Sequence, residues 1–569
     1  MNSEFPGSPE RSGSPAPSSV SAGNRVAGRR KRNWKSASLL LSVLFVVSCG
    51  GGPSPEERTI ALPVLRDKIA GGWAGKMIGV TYGAPTEFRA QGKTYEDSIR
   101  WQPADVTGAL WQDDIYVQLT FLMTMDRFGL DAPAKKYQEL FARAGYPLWH
   151  ANVQARKNYF DSIFPPGSGH PDHNLHADDI DFQIEADYIG FITPGMPVTA
   201  NALADKTGHI MNYGDGVYGG AFVAGLYAEA FFSDDIPAII EKALASIPAE
   251  SDYAKIVRDV ILLHSHYPKD WRAAWNELEN KWGKVQVCEA GSSFNIDAKL
   301  NGAYIVMGLL YGEGDPLKTM EISTRCGQDS DCNPSNAMAV LGVIRGFSGL
   351  PSEWQEAIAA IGDSLFIHTD YSFRKAVDHC LDYALQLATA HGGSHTGDSL
   401  RILIQQPEPL PFETSFPNLV FDRRIPVSET GTWRLSGNWE PFGNTTGGAE
   451  PPKVHALYSA QAGDTLALTF EGTGVSLVGH WLKDGGKADI FMDDVFKRTI
   501  DCYFNYAGQQ HRNMDLFHIT GLPEGPHTLE VVVRGEKRPE SEGTRVYITE
   551  AVIFKTGEKI SDKTRFTFQ

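Results

Sequence analysis

The feature that most constrains this chain is a change in the spacing of its apolar residues about two-thirds of the way along. From about Glu56 to Ala390 they recur at helical period. Ile236, Ile239, Ile240, Ala243, Leu244 and Ile247 fall on one stripe, capped by Ser233-Asp234-Asp235 and stopped by Pro248, and Ala337, Val340, Leu341 and Ile344 repeat the pattern. Small residues crowd two of these segments, at Gly71, Gly72, Ala74, Gly75 and Gly79 and at Gly219, Gly220, Ala221, Ala224 and Gly225. Helices can approach closely only across such residues, which predicts a compact all-α body. Pro407, Pro409, Pro411 and Pro417 then mark a stiff linker, beyond which the period falls to two, as in Leu466, Leu468 and Phe470. The turn at Gly472-Thr473-Gly474 and the strand-like run Pro526–Val533 predict a β-sandwich. The expected organisation is multidomain: an all-α domain over 59–395, a proline-rich linker over 396–425 and an all-β sandwich over 426–569. An apolar content of 42% is that of a globular chain, not a fibrous, disordered or multi-spanning one.

The N-terminus reads as an address. Residues 1–28, rich in Ser, Pro and Gly, are too polar to pack. A basic cluster at Arg29–Arg32 and Lys35 precedes an apolar run, Ala37–Val47, of the length of a secretory signal. The run ends at Val46-Val47-Ser48-Cys49, which resembles a bacterial lipobox with Cys49 as the lipidated residue. A plain signal peptide or signal anchor is the alternative. Residues 1–48 are then leader and 49–58 a flexible tether, and the chain is expected to be exported and lipid-anchored to the cell envelope, meeting the membrane only through that anchor. The net charge of −17, with basic residues concentrated before residue 36, argues against a nucleic-acid partner. Cys288, Cys326, Cys332, Cys380 and Cys502 show neither zinc-ribbon nor disulfide-framework spacing.

Two acidic motifs carry the chemistry. Trp111-Gln112-Asp113-Asp114 opens one helical segment and Gly327-Gln328-Asp329-Ser330-Asp331-Cys332-Asn333 opens another. Carboxylates suit helix N-termini, yet one is enough for a cap. Four brought together repel unless a cation neutralises them, and oxygen ligands suit Mg²⁺ or Ca²⁺ rather than zinc.

These motifs, with Gly75–Phe88 before them, resemble the ADP-ribosylglycohydrolase family over about residues 60–390. The resemblance implies an all-α orthogonal catalytic domain and one or two ions of Mg²⁺ or Mn²⁺. It implies Asp113, Asp114, Asp329 and Asp331 as metal ligands, with Gln112 and Cys332 standing where threonines are usual. Glu87 is the candidate acid/base for a glycosidic bond that breaks through an oxocarbenium-like state, with Asp114 beside it. A third resembling segment gives candidate substrate-binding residues Asp187, Asn212, Tyr213, Gly214, Asp215, Gly216 and Tyr218, joined by Asn333.

His170, His173 and His176 in a Gly/Pro-rich loop have spacing that can hold a transition metal, but a solvated or substrate-rim loop is the favoured reading. Trp433, Trp439, Trp481, Tyr503 and Tyr506 are either sugar-stacking or core residues, at least half of them core. Gly485–Asp494 and Gly525–Leu529 resemble a galactose-binding-like jelly roll, a candidate carbohydrate-binding module. The expected function is hydrolysis of a ribosyl or other furanosyl linkage in an extracytoplasmic glycan or nucleoside. The alternatives are ADP-ribose-linkage hydrolysis and non-catalytic glycan binding.

Overall fold

A computed structural model describes residues 56–566 apart from 285–286, 430 and 444–454. The leader, most of the tether and the lipidation expected at Cys49 lie outside the described residues. Among those described, no helix is long and apolar enough to cross a membrane.

The helical body is built on two helices, Leu62–Gly83 and Cys332–Arg345, pressed together along a seam of glycines. Gly71, Gly75, Gly79 and Gly83 recur every fourth residue and so share one face. A Cβ built on Gly75 would stand 2.4 Å from the Met338 carbonyl oxygen, one on Gly79 2.3 Å from that of Pro334, and one on Gly83 2.0 Å from that of Ser330. Gly342 returns the contact, its Cβ position falling 2.0 Å from the Gly71 carbonyl oxygen. The backbones therefore touch, and the end of the first helix is delivered to the start of the second.

Two findings revise the expected boundaries. Glu57–Ala61, read partly as tether, is a strand paired antiparallel with Ser399–Leu403, which also pairs with Ser394–Thr396. The alternation of buried Leu400 and Ile402 with more exposed neighbours seats this small sheet on the helices. The proline-rich segment, read as a stiff linker, is docked. Extended proline-rich backbone offers unpaired polar groups, and buried side chains of the helical body take them up. Asn201 donates to the Glu408 carbonyl at 2.8 Å, and Tyr218 donates to that of Pro411 at 2.8 Å while accepting from the Glu413 amide.

The β region is an antiparallel sandwich. One sheet runs in the order Val495–Asp501, Lys487–Met492, Pro526–Val533, Thr465–Glu471, Trp433–Ser436. The other runs His511–Thr520, Gly474–Trp481, Val546–Thr556, Ala456–Ser459, Glu440–Phe442, with Leu419–Pro426 also paired to Val546–Thr556. Its aromatics serve packing: Trp433, Trp481 and Tyr503 are buried, and Trp439 donates to the Thr465 carbonyl at 2.9 Å. Tyr506 stacks on Phe160 of the helical body with ring centroids 3.8 Å apart. Arg538 reaches Asp161 at 2.6 Å, and Gln509 accepts from the Leu148 amide at 2.9 Å. The sandwich is thus fastened to the helices by stacking and paired charge.

Alanine has the better helix propensity by about 1 kcal/mol, so Gly75→Ala would stabilise an open helix. Against the Met338 carbonyl it is expected instead to cost about 1–3 kcal/mol. Gly108→Ala, whose Cβ would meet only Thr81 at 3.5 Å, is expected to stay within about 0.5 kcal/mol. Denaturant unfolding of the two variants checks this.

Candidate metal centre and cleft

The seam places Glu87, four residues past its last glycine, against the second acidic motif. A clamp fixes the approach: the Phe88 amide donates to the Gln328 carbonyl at 3.1 Å and the Gln328 amide to that of Ala90 at 2.8 Å. Phe88 and Gln328 both hold left-handed backbone, at φ 54° and 55°. Thr86 and Ser330 hydroxyls meet at 2.8 Å in the same clamp. Asp113 and Asp114 open the helix Asp113–Phe128, and Asp331 is the N-cap of Cys332–Arg345. Both positions lie where free amides and the helix dipole favour anions.

The two distant motifs converge. Donor atoms of Asp114, Asp331 and Cys332 lie within 4.8 Å of one another, as do those of Glu87, Asp329 and Asp331. Asp331 belongs to both groups. Glu87, Asp329, Asp331 and Cys332, with Gln112, Asp113, Trp111, Tyr116, Trp149 and His150, line a cavity of about 400 Å³, and Asp114 lies fully buried behind them. Trp111 and Trp149 flank it with 59% and 46% of their surface exposed.

The electrostatics follow from crowding. Burial, then the carboxylates of Asp331, Asp113 and Asp114, pushes Glu87 up to about 8. Burial, then Asp114, raises Asp113 to about 6. Asp331 is driven well above the usual range by burial and then by Asp329, and Asp329 rises with it, chiefly through burial. Among the described residues the cation hydrogen-bonded within the cluster is Lys76. Its ammonium, fully buried, sits 2.8 Å from Asp187 and 3.4 Å from Asp114, and donates to the Ile184 carbonyl at 2.8 Å. Burial alone would lower Lys76, but Asp187 and Asp114 outweigh it and raise it.

The residues present fit a hard divalent ion. The donors are oxygens, and the buried Asp331 Oδ1 has no hydrogen-bond partner in the protein. Cys332 is held as a thiol by burial and by the nearby carboxylates, and donates to Asp114 Oδ2 at 3.2 Å. That hydrogen bond holds the carboxylate, and sulfur is a poor donor to a hard ion.

The remaining predicted residues lie elsewhere. Asp187 is fully buried behind the cleft, bound by Lys76, by Gln118 and Asn336 at 3.1 Å each, and by the Tyr227 hydroxyl. Its part is to hold Lys76. Asn333 is buried against Asn301 at 3.1 Å, backing the second motif. Asn212, Tyr213, Gly214, Asp215, Gly216 and Tyr218 do not line this cavity. Asn212 ties the buried loop before it, donating to the Ala177 and Asp179 carbonyls at 2.9 and 2.8 Å. Asp215 accepts from the Tyr253 amide at 3.0 Å, and Tyr213 and Tyr218 hold the docked proline-rich segment. Gly214 and Gly216 are pressed against Ser415 and Ala177. The histidine loop is buried for most of its length rather than solvated. Sequence reasoning did not assign Trp149, His150, Asn152 and Asp181 to the cleft, because single residues without a motif give no local signal.

A second, larger cavity of about 1200 Å³ lies between the helical body and the sandwich. Trp149 and His150 line both, and His480, His511, Arg512 and Asp515 of the sandwich form part of its far wall.

Comparison with known proteins now bears on this site. Residues 61–391 match the model of the ADP-ribosylglycohydrolase family, and the chain belongs to that family. A solved "ADP-ribosylglycohydrolase-related protein complex" is 15% identical, covers 57% of this chain and 99% of its own, and has a TM-score of 0.40. Two proteins of Flavonifractor plautii also match in part. An "A type blood alpha-D-galactosamine galactosaminidase" is 34% identical over 17% of this chain and 8% of its own length. An "A type blood N-acetyl-alpha-D-galactosamine deacetylase" is 28% identical over 26% of this chain and 17% of its own. This chain thus spans under a fifth of either relative.

Lys76→Met leaves Asp187 and Asp114 buried without their cation. It is expected to cost about 3–5 kcal/mol of folding free energy, whereas Lys255→Ala, which removes a half-exposed lysine from Asp252 and leaves that carboxylate paired with Lys559, costs under about 1 kcal/mol. Chemical denaturation measures both.

Proposed function

We propose that this protein is a divalent-metal-dependent hydrolase of a ribosyl or other furanosyl linkage, acting on a sugar-containing substrate longer than one ring. The observation that carries the reading is the convergence of the two acidic motifs on Asp331, whose carboxylate is grouped with Asp114 on one side and with Glu87 and Asp329 on the other, at a cleft. Family membership supports glycosidic-bond hydrolysis. The sugar-directed names of the partial relatives support a carbohydrate substrate.

Asp113, Asp114, Asp329 and Asp331, with the Gln112 amide, would hold one or two ions of Mg²⁺, Mn²⁺ or Ca²⁺. Such ions bind vicinal sugar hydroxyls and lower the pKa of a bound water. The protein supplies the proton chemistry. Glu87 lines the cleft, and its raised affinity for a proton suits a general acid. A bound cation would remove part of the push from neighbouring carboxylates and leave that due to burial. Glu87 donates to the leaving oxygen as the bond to the anomeric carbon breaks. Water adds at that carbon, and its proton passes to a carboxylate of the cluster. Lys76 and the Cys332 thiol keep Asp114 fixed during these steps. Trp111 and Trp149 offer apolar faces to the sugar at the rim, and the larger cavity beside the sandwich gives the rest of the substrate a path. The same reading places the enzyme outside the cytoplasm, tethered through Cys49. Fatty-acid labelling that is lost in Cys49→Ala tests the tether.

Aryl furanosides, aryl pyranosides and an ADP-ribosylated peptide, each offered with Mg²⁺ or Mn²⁺, discriminate the substrates. Cleavage of the furanoside, abolished by chelator, is expected. Glu87→Gln is expected to lower kcat by about 10²–10⁴-fold with little change in KM, and Trp111→Ala to raise KM. Cleavage of the ADP-ribosylated peptide alone would establish the ADP-ribosyl reading. Sugar affinity by calorimetry without metal uptake would make the protein a non-catalytic binder.

A further inference from the structure

A second cluster stands in the wall between the two cavities, with a different donor chemistry. One donor atom from each of His150, His176, Asp179 and Cys288 lies within 4.8 Å of the other three. His176 Nδ1 is 2.7 Å from Asp179 Oδ2 and 2.9 Å from Cys288 Sγ. Cys288 Sγ is 3.2 Å from the same carboxylate oxygen, and His150 Nδ1 is 3.7 Å from it. The four residues come from three separate segments: the first turn of the helix His150–Phe160, the buried histidine loop, and the chain after the helix Trp271–Trp282.

The geometry decides between two chemistries. A nucleophilic cysteine needs its histidine to face the thiol with one ring nitrogen and the carboxylate with the other. Here a single nitrogen, Nδ1 of His176, faces both, so no relay runs through the ring. Convergence of nitrogen, sulfur and oxygen on one point is instead the arrangement of a metal cage. Zinc bonds of about 2.0–2.3 Å imply tetrahedral ligand edges of about 3.3–3.8 Å. Four of the six edges are 2.7–3.7 Å and the two from His150 to His176 and Cys288 lie within 4.8 Å, so small side-chain movements would bring the set to that geometry. The loop that carries two of the donors is rigid. The Asp179 amide donates to the His176 carbonyl at 2.9 Å, Asn212 binds the Asp179 carbonyl, and the Ile180 amide donates to that of Ile296. His150 is held in left-handed backbone at φ 43°, a strained state for a side chain that the surrounding structure must enforce.

We propose that His150, His176, Asp179 and Cys288 bind one Zn²⁺ as a closed structural site, separate from the hard-ion centre of Asp113, Asp114, Asp329 and Asp331. The donor set is borderline-soft and suits zinc, and four protein ligands leave no open position for a substrate. Its effect is on the cleft wall. His150 and its neighbour Trp149 line both cavities, and Leu175, His176 and Cys288 line the larger. The ion therefore pins the partition that a substrate would cross. This holds whether or not the acidic centre is catalytic, because the two sites share no ligand.

The test uses the full chain, stripped with chelator and reloaded with Zn²⁺ or Co²⁺ alone. One tightly held zinc per chain is expected, resistant to excess Mg²⁺. The Co²⁺ form should show thiolate-to-cobalt charge transfer and the intense visible bands of tetrahedral cobalt. Both signals should vanish in Cys288→Ser and His176→Gln and persist in Cys332→Ser and Asp331→Asn. Zinc should raise Tm in the wild type and not in Cys288→Ser. Wild-type protein without a thiolate band overturns the proposal even where a variant fails to fold. A band lost in Cys332→Ser but kept in Cys288→Ser overturns it as well, by placing the cobalt at the acidic centre.

Discussion

The acidic centre depends on two helices approaching until their backbones touch. The glycine face of Leu62–Gly83 lies on Cys332–Arg345, with no room for a Cβ at Gly71, Gly75, Gly79 or Gly83. That approach brings the turn bearing Glu87 to the N-cap bearing Asp331. A single methyl group in the seam would push Glu87 and Asp331 apart. Cores lose order with changes of that size because they are packed as densely as organic crystals. The active geometry is therefore bought with glycine's lost helix propensity.

The seam brings negative charge together faster than the protein neutralises it. Lys76 answers Asp187 and Asp114 from beneath, and Cys332 donates a thiol hydrogen to Asp114, but Glu87, Asp329 and Asp331 face the cleft with no cation among the described residues hydrogen-bonded to them. Such a cluster is held apart from its own repulsion by protons or by a metal. The same surplus adds to burial in raising Glu87's affinity for a proton.

Much of this was legible in the sequence, and the reasons differ by residue. The two acidic motifs stood out because each pair sits beside Gly, Trp or Cys at a helix start, where one acid would have served as a cap. The change of period announced helices and then strands. Asp187 was misplaced because burial is not a property of a residue's neighbours in sequence: its partners Lys76, Tyr227 and Asn336 come from three distant helices. The strand Glu57–Ala61 was hidden because its partner lies some 340 residues away. The proline-rich segment read as a stiff linker, and its docking depends on Asn201 and Tyr218, which carry no such signal. His150 and Cys288 are single residues whose meaning exists only once the fold has joined them.

The central claim is that the two acidic motifs cage a divalent ion. Anomalous diffraction from a crystal of the full chain soaked in Mn²⁺ tests it most directly. The account predicts a manganese peak within bonding distance of Asp331, with Asp114 or Asp329 beside it. A cleft free of manganese at saturating concentration, with those carboxylates bound only to protons and to Lys76, would contradict it.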